Sequence, residues 1–219
     1  MLASVFGNFA LGIRSYLRDR SLTALYAKWV FSRRFRKVTA GKNYCYISRY
    51  CIGGRFYQIE ARRYTSPTVG MWITTPEFLT FCSDLQGYLS KDVEYDPDLS
   101  AKEGHPVGRL GDVTLLFLHY FTFAGAKHAW EKRTQRIDPD KLVIVTNTEG
   151  EQELQAALAG FRALPFKRKV MFTNVPGDHE DQVIYVPGFA APDGSGDLYN
   201  EFELLNQKEV SEKFFAILA

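Results

Sequence analysis

A chain of 219 residues with 46% hydrophobic, 15% aromatic and 24% charged residues can bury a sizeable core, which excludes a disordered or low-complexity chain and fits one domain or two small ones. Its formal net charge of +2 is unevenly spread, because residues 1–37 hold eight basic groups against Asp19 alone, a net +7 that leaves −5 for the rest. Cys45, Cys51 and Cys82 form no C-x-x-C pair, which argues against a disulfide framework and a zinc site and for a reducing, cytoplasmic compartment.

In chain order, the opening MLASVFGNFALGI is apolar but lacks a preceding basic region, so it does not read as a secretory signal. No run reaches the roughly 18 apolar residues of a membrane span. Leu11, Ile13, Tyr16, Leu17, Leu22, Leu25, Tyr26, Trp29, Val30 and Phe31 are interleaved with the basic groups at near-helical spacing. This predicts a basic amphipathic helical extension over residues 1–41, either packed on the main domain or resting peripherally on an anionic membrane surface through residues 1–37. With the basic residues confined to one end and no recognition motif beside them, nucleic acid is a poor fit.

From Asn43 onward strands and helices alternate. Tyr44–Ser48 reads as a strand, followed by a Gly-Gly turn and a short helix that Pro67 ends; Val69–Ile73 reads as a second strand. Thr75 is the expected N-cap, with Pro76 at the first helical position, of a helix that buries Phe78, Phe81, Cys82, Leu85, Tyr88 and Leu89. A polar stretch, residues 91–105, predicts a short strand and a loop, and marks where two halves could meet. Val113–Leu118 is apolar enough to suggest a strand buried on both faces, with His119 and Tyr120 at its carboxyl end.

A helix capped by Thr122 follows, then a strand over Lys141–Thr146 and a helix opened by a Thr148/Glu151 capping box. "KVMFT" and "QVIYVP" are further strands, and a helix starts at Lys208. The alternation predicts an α/β three-layer sandwich with a largely parallel, Rossmann-like sheet, a single domain over 42–219 behind the N-terminal extension.

Four phrases taken together, "ISRYCIGGRFYQ", "YTSPTVGMWI", "HPVGRLGDVTLLFLHYFTFAGAKHAWEKRTQRID" and "FRALPFKRKVMFT", resemble the bacterial DUF1919 family, whose members are encoded among exopolysaccharide and capsule biosynthesis genes. The resemblance runs from about Lys42 to Leu205 and implies a cytoplasmic role in building or decorating a surface polysaccharide. The chain departs from the family's Ser-Asn-Asn-Cys-Trp-Gly-Gly turn with Arg49, Tyr50 and Ile52, and from its Asp-Arg-Asp-like strand end with Thr146, Asn147, Thr148 and Glu149. These changes put a different substrate, or a weakened member, in view.

Ligands of open parallel sheets lie beyond the carboxyl ends of the strands, often at a topological switch point. Ser48, Arg49, Gly53, Gly54, Ser66, Thr68, His119, Tyr120 and Asn147 all follow predicted strands or lie in their connecting loops. Cys51 near a helix N-terminus with His119 suits acyl transfer from coenzyme A to a sugar hydroxyl, with Gly53 and Gly54 N–H groups on the oxyanion. Glycosyl transfer from a nucleotide sugar is the reading favoured by the polysaccharide setting. There His119 or Asp112 would be the base and the arginines would hold the departing diphosphate; a phosphate clamp of Arg133 and Arg136, with Arg55 and Lys169, suits either a nucleotide sugar or coenzyme A. A packed turn around Cys51, and a non-catalytic assembly module, are the remaining readings. No cofactor beyond such a co-substrate is implied, and no metal-binding spacing is present. His105, His128 and His179 read as surface groups, and "GDLYNEFE", residues 196–203, offers carboxylates without a D-x-D.

Overall fold

A computed structural model describes residues 22–180, 182–189 and 202–219; the readings placed on residues 1–21 and on most of residues 196–203 lie outside them. Four parallel strands form the main sheet: β1 (Cys45–Ser48), β5 (Leu142–Thr148), β6 (Lys169–Thr173) and β7 (Val183–Tyr185), in the order β1-β5-β6-β7. Alternate side chains of a strand point to opposite faces, and here both faces are apolar. Tyr46, Val143, Val145, Val170, Phe172 and Ile184 enter one cluster, while Cys45, Ile47, Leu142, Ile144, Met171 and Val183 enter the other.

Helices cover both faces. Against the first lie α1 (Leu22–Thr39), α2 (Ile52–Glu60) and the C-terminal α9 (Lys208–Leu218); α8 (Phe202–Leu205) leads into α9. Against the second lie α3 (Thr75–Ser83), α4 (Leu85–Leu89), α6 (Phe123–Thr134) and α7 (Glu151–Ala163). Helix α1 is part of the main body: Phe31 and Phe35 are fully buried, and the Phe35 ring stacks on Phe56 at 4.9 Å. None of the described helices is long and apolar enough to cross a membrane.

Between β1 and β5 the chain builds a second, antiparallel sheet from β2 (Glu94–Tyr95), β3 (Val107–Leu110) and β4 (Val113–Leu116), with α5 (Pro97–Glu103) between β2 and β3. The expected strand over Val113–Leu118 is therefore shorter and belongs to this sheet. Its burial alternates, Leu118 is 42% exposed, and the apolar run reflects helices packed nearby, not a central parallel position. Val69–Ile73 is no strand of either sheet. It is an extended segment that bridges them, pairing through Trp72 with Leu116 of β4 and through Ile73 N–H with the Arg49 carbonyl after β1.

Two caps also move. Thr74, not Thr75, accepts from the Glu77 N–H at the start of α3. Helix α7 begins after Gly150 at φ +83°, and Thr148 completes β5 instead of opening a capping box. Glu153 takes over the reciprocal role, accepting from the Glu149 N–H at 2.6 Å.

Candidate functional site

The carboxyl end of β1 feeds a turn, Arg49–Cys51, and then α2. Cys51 is the N-cap, at φ −64° and ψ −12°, and its side chain makes no capping hydrogen bond to the first-turn N–H groups. The loop after β4 brings His119 to it: Nε2 lies 3.0 Å from Cys51 Sγ. Two residues 68 positions apart thus meet because the bridging segment docks the small sheet against the large one. The His119 N–H donates to the Gly70 carbonyl at 3.2 Å. Gly70 has φ +85°, and a Cβ there would press on Tyr120 at 3.2 Å, so a side chain at this position would hold the His119–Tyr120 loop off.

The pair lines one wall of a cleft of about 340 Å³, with Gln58, Tyr64, Tyr120 and Arg133 facing it. The Arg133 guanidinium donates to the Tyr120 hydroxyl at 2.6 Å and to the Val69 carbonyl at 2.9 Å, and lies 5.2 Å from the Tyr64 ring centre. Burial raises the Tyr120 hydroxyl's pKa and the Arg133 charge opposes the shift, so Tyr120 stays a neutral donor. Tyr120 also borders a wider, 720 Å³ groove carrying Tyr95, Phe121 and Phe123.

Among the three cysteines, none of which is in a disulfide, position separates their chemistry. Cys45 and Cys82 are buried, and burial pushes both thiols up, away from the reactive thiolate. Cys51 is partly exposed, at a helix N-terminus, against an imidazole. That setting leaves its sulfur open to a ligand in the cleft.

Other expected site residues have different work. The Ser48 N–H donates to Thr68 Oγ1 at 3.0 Å, and Ser66 and Thr68 bond to each other, so these three buried residues fasten the bridging segment to the free edge of β1. Gly53 and Gly54 allow close packing: a Cβ on Gly53 would lie 2.4 Å from Ser48 Oγ, and one on Gly54 3.2 Å from Val69 Cγ1. The Gly54 N–H already donates to the Cys51 carbonyl at 3.0 Å, which removes it as an oxyanion donor. Asp112 sits in the β3–β4 turn, where the Tyr88 hydroxyl donates to it, and does not line the cleft.

The four-cation clamp is likewise not assembled. Arg136 donates to the Tyr64 carbonyl and Arg55 to Gln58. Lys169 sits at the opposite end of the sheet and caps α7 through the Arg162 and Leu164 carbonyls. Only Arg133 of the four lines the cleft.

Arg49 and Asn147 form a separate cluster. Helix α2 departs to one face of the sheet and α7 to the other, opening between β1 and β5 the kind of crevice where ligands of parallel sheets bind. The Arg49 side chain fills it, donating to the Asn147 carbonyl at 2.9 Å and to Thr75, and pairing with Glu153 at 3.4 Å. The strand order does not reverse, so this crevice arises from the opposite departures of α2 and α7 alone. The cleft at Cys51 lies instead beside β1, against the bridging segment.

Sequence reading did not find Gln58, Tyr64, Val69 or Gly70. A lone glycine inside the strand-like "TVGMWI" was the available signal, since such a glycine marks close backbone approach.

With this geometry in hand, comparison with known proteins is informative. The family model described as a domain of unknown function (DUF1919) matches residues 24–218. The chain belongs to the DUF1919 family. The DUF1919 match includes α1, which the motif resemblance left outside, and the buried Phe31 and Phe35 explain why the helix belongs with the rest. An uncharacterized protein of Haemophilus influenzae is 27% identical over 188 residues, covering 85% of this chain and 88% of that one.

Proposed function

We propose that this DUF1919 protein is a transferase of bacterial exopolysaccharide or capsule biosynthesis that moves an acyl group from coenzyme A, through Cys51, to a sugar hydroxyl. The observation that carries this reading is the 3.0 Å contact between Cys51 Sγ and His119 Nε2 on the wall of an open cleft. Around it we read the two-sided parallel sheet as a Rossmann-like three-layer sandwich.

In the first step His119 takes the thiol proton and the Cys51 thiolate attacks the acyl carbonyl. A new C–S bond forms, the bond to the coenzyme A sulfur breaks, and that departing thiolate receives the proton from His119. In the second step His119 deprotonates the sugar hydroxyl, whose oxygen forms the ester bond as the Cys51–acyl bond breaks, and the proton returns to Cys51. Tyr64 and Arg133 offer a stacking ring and a charge to the donor or acceptor, and the aromatic groove beyond Tyr120 suits sugar rings, whose C–H faces rest on aromatic planes.

Glycosyl transfer finds less support, because Asp112, one of its two candidate bases, is held by Tyr88 away from the cleft. Intact-mass spectrometry after incubation with acetyl-coenzyme A tests the proposal. One acetyl group on Cys51 is expected, absent in Cys51→Ser, with loading slowed about 10²-fold or more in His119→Ala. No adduct with any acyl-coenzyme A, or an adduct that persists in Cys51→Ser, overturns it. Turnover of a nucleotide sugar that survives Cys51→Ser would establish glycosyl transfer in its place.

A further inference from the structure

Helix α1 carries apolar side chains on two opposite faces. Ala27, Phe31 and Phe35 are buried against the body of the protein. Leu22, Leu25, Tyr26 and Trp29 also recur at steps of three and four, and at about 100° per residue they fall on the other side. These four are 86%, 48%, 66% and 53% exposed.

A helix at a water interface normally turns polar residues outward. Here the outward face is apolar over its N-terminal half and basic over its C-terminal half, where Arg33, Arg36 and Lys37 are exposed. The helix contains no acidic residue. The Tyr26 and Trp29 rings stack at 6.1 Å, and the Arg33 guanidinium lies 5.6 Å from the Trp29 ring centre, so the aromatic and cationic parts are contiguous.

We propose that this face binds an anionic lipid bilayer, with Leu22, Leu25, Tyr26 and Trp29 at the boundary between headgroups and acyl chains and Arg33, Arg36 and Lys37 on lipid phosphates. Tyr and Trp favour that boundary because each has an apolar body and a polar tip, and basic residues beside it are drawn to anionic headgroups. A second copy of the same face is the poorer partner, because pairing would set two acid-free, basic surfaces against each other. The inference stands independently of the reaction at Cys51.

Co-sedimentation of the full chain with phosphatidylglycerol–phosphatidylcholine vesicles, against phosphatidylcholine alone, is the test. Binding to the anionic vesicles, weakened by salt, is expected. Arg33→Gln/Arg36→Gln/Lys37→Gln should reduce partitioning on the order of a hundredfold, and Leu25→Ser/Tyr26→Ser/Trp29→Ser should abolish it with the melting temperature unchanged. Four outcomes overturn the proposal: no binding, equal binding to neutral vesicles, binding that both variants retain, or a concentration-dependent dimer lost in the same variants. Binding that ignores the serine changes but vanishes on deletion of residues 1–21 would assign the contact to that segment and also overturn it.

Discussion

At Gly53 the physical demand is space. With Ser48 Oγ 2.4 Å from where a Cβ would sit and the Tyr46 carbonyl at 3.2 Å, helix α2 can approach β1 only through a residue without a side chain. Gly53→Ala should cost about 1–3 kcal/mol as overpacking, a fall of several degrees in the thermal midpoint for a chain of this size. An unchanged midpoint would sink the packing account. Glu149, beside the Arg49 cluster, gives a pH-dependent case. Burial holds its carboxyl above the ordinary range, with Arg49 opposing, so the folded protein binds this proton more tightly than the unfolded chain. Its contribution to stability is therefore fully present below the ordinary carboxylate range and is lost as pH rises through the raised value. Glu149→Gln should be more stable than the parent at about pH 8, with the gap closing toward about pH 4; a gap that is constant with pH would show the carboxyl to be uninvolved.

Single residues were legible where chemistry is local. Cys51 before two glycines and His119 after an apolar run were both nameable from the sequence. The role of Arg49 was not, because its partners Asn147 and Glu153 are about a hundred positions away and nothing in the local pattern marks an inward-pointing arginine.

Helix α1 shows what is lost by cutting a chain on composition. Its charge suggested an appendage ending at residue 41, yet Phe31 packs on Phe215 at 5.6 Å and Phe35 contacts Phe56 and Phe214. Removing one buried Phe side chain costs about 3–5 kcal/mol, and losing two consumes much of the roughly 5–15 kcal/mol that holds a domain folded. A fragment of residues 42–219 is expected to lack a cooperative thermal transition by circular dichroism. A transition near that of the full chain would refute this. Among the other elements, β1, β5, β6, β7, α6 and α9 could be read from periodicity and caps. Helix α5 could not, having no buried residue to create a periodicity, although Asp96 and Pro97 spelled its start. Strand β4 was misplaced because an apolar run looks the same in a central parallel strand and in a short antiparallel strand under helices.

At the level of the whole molecule, strand neighbours are the part that periodicity does not encode. Nothing in the alternation said that the chain between β1 and β5 would close a sheet of its own, or that the extended segment 66–73 would join the two. That joint has a chemical meaning. Cys51 belongs to one sheet and His119 to the other, so neither half of the proposed dyad exists as such until both sheets have formed and met. The fold works as a logical conjunction, in which a chain still emerging from the ribosome, or one with either sheet open, carries an ordinary thiol. The completed molecule alone carries a paired one, and that pairing is a certificate of assembly written into the distance between two atoms.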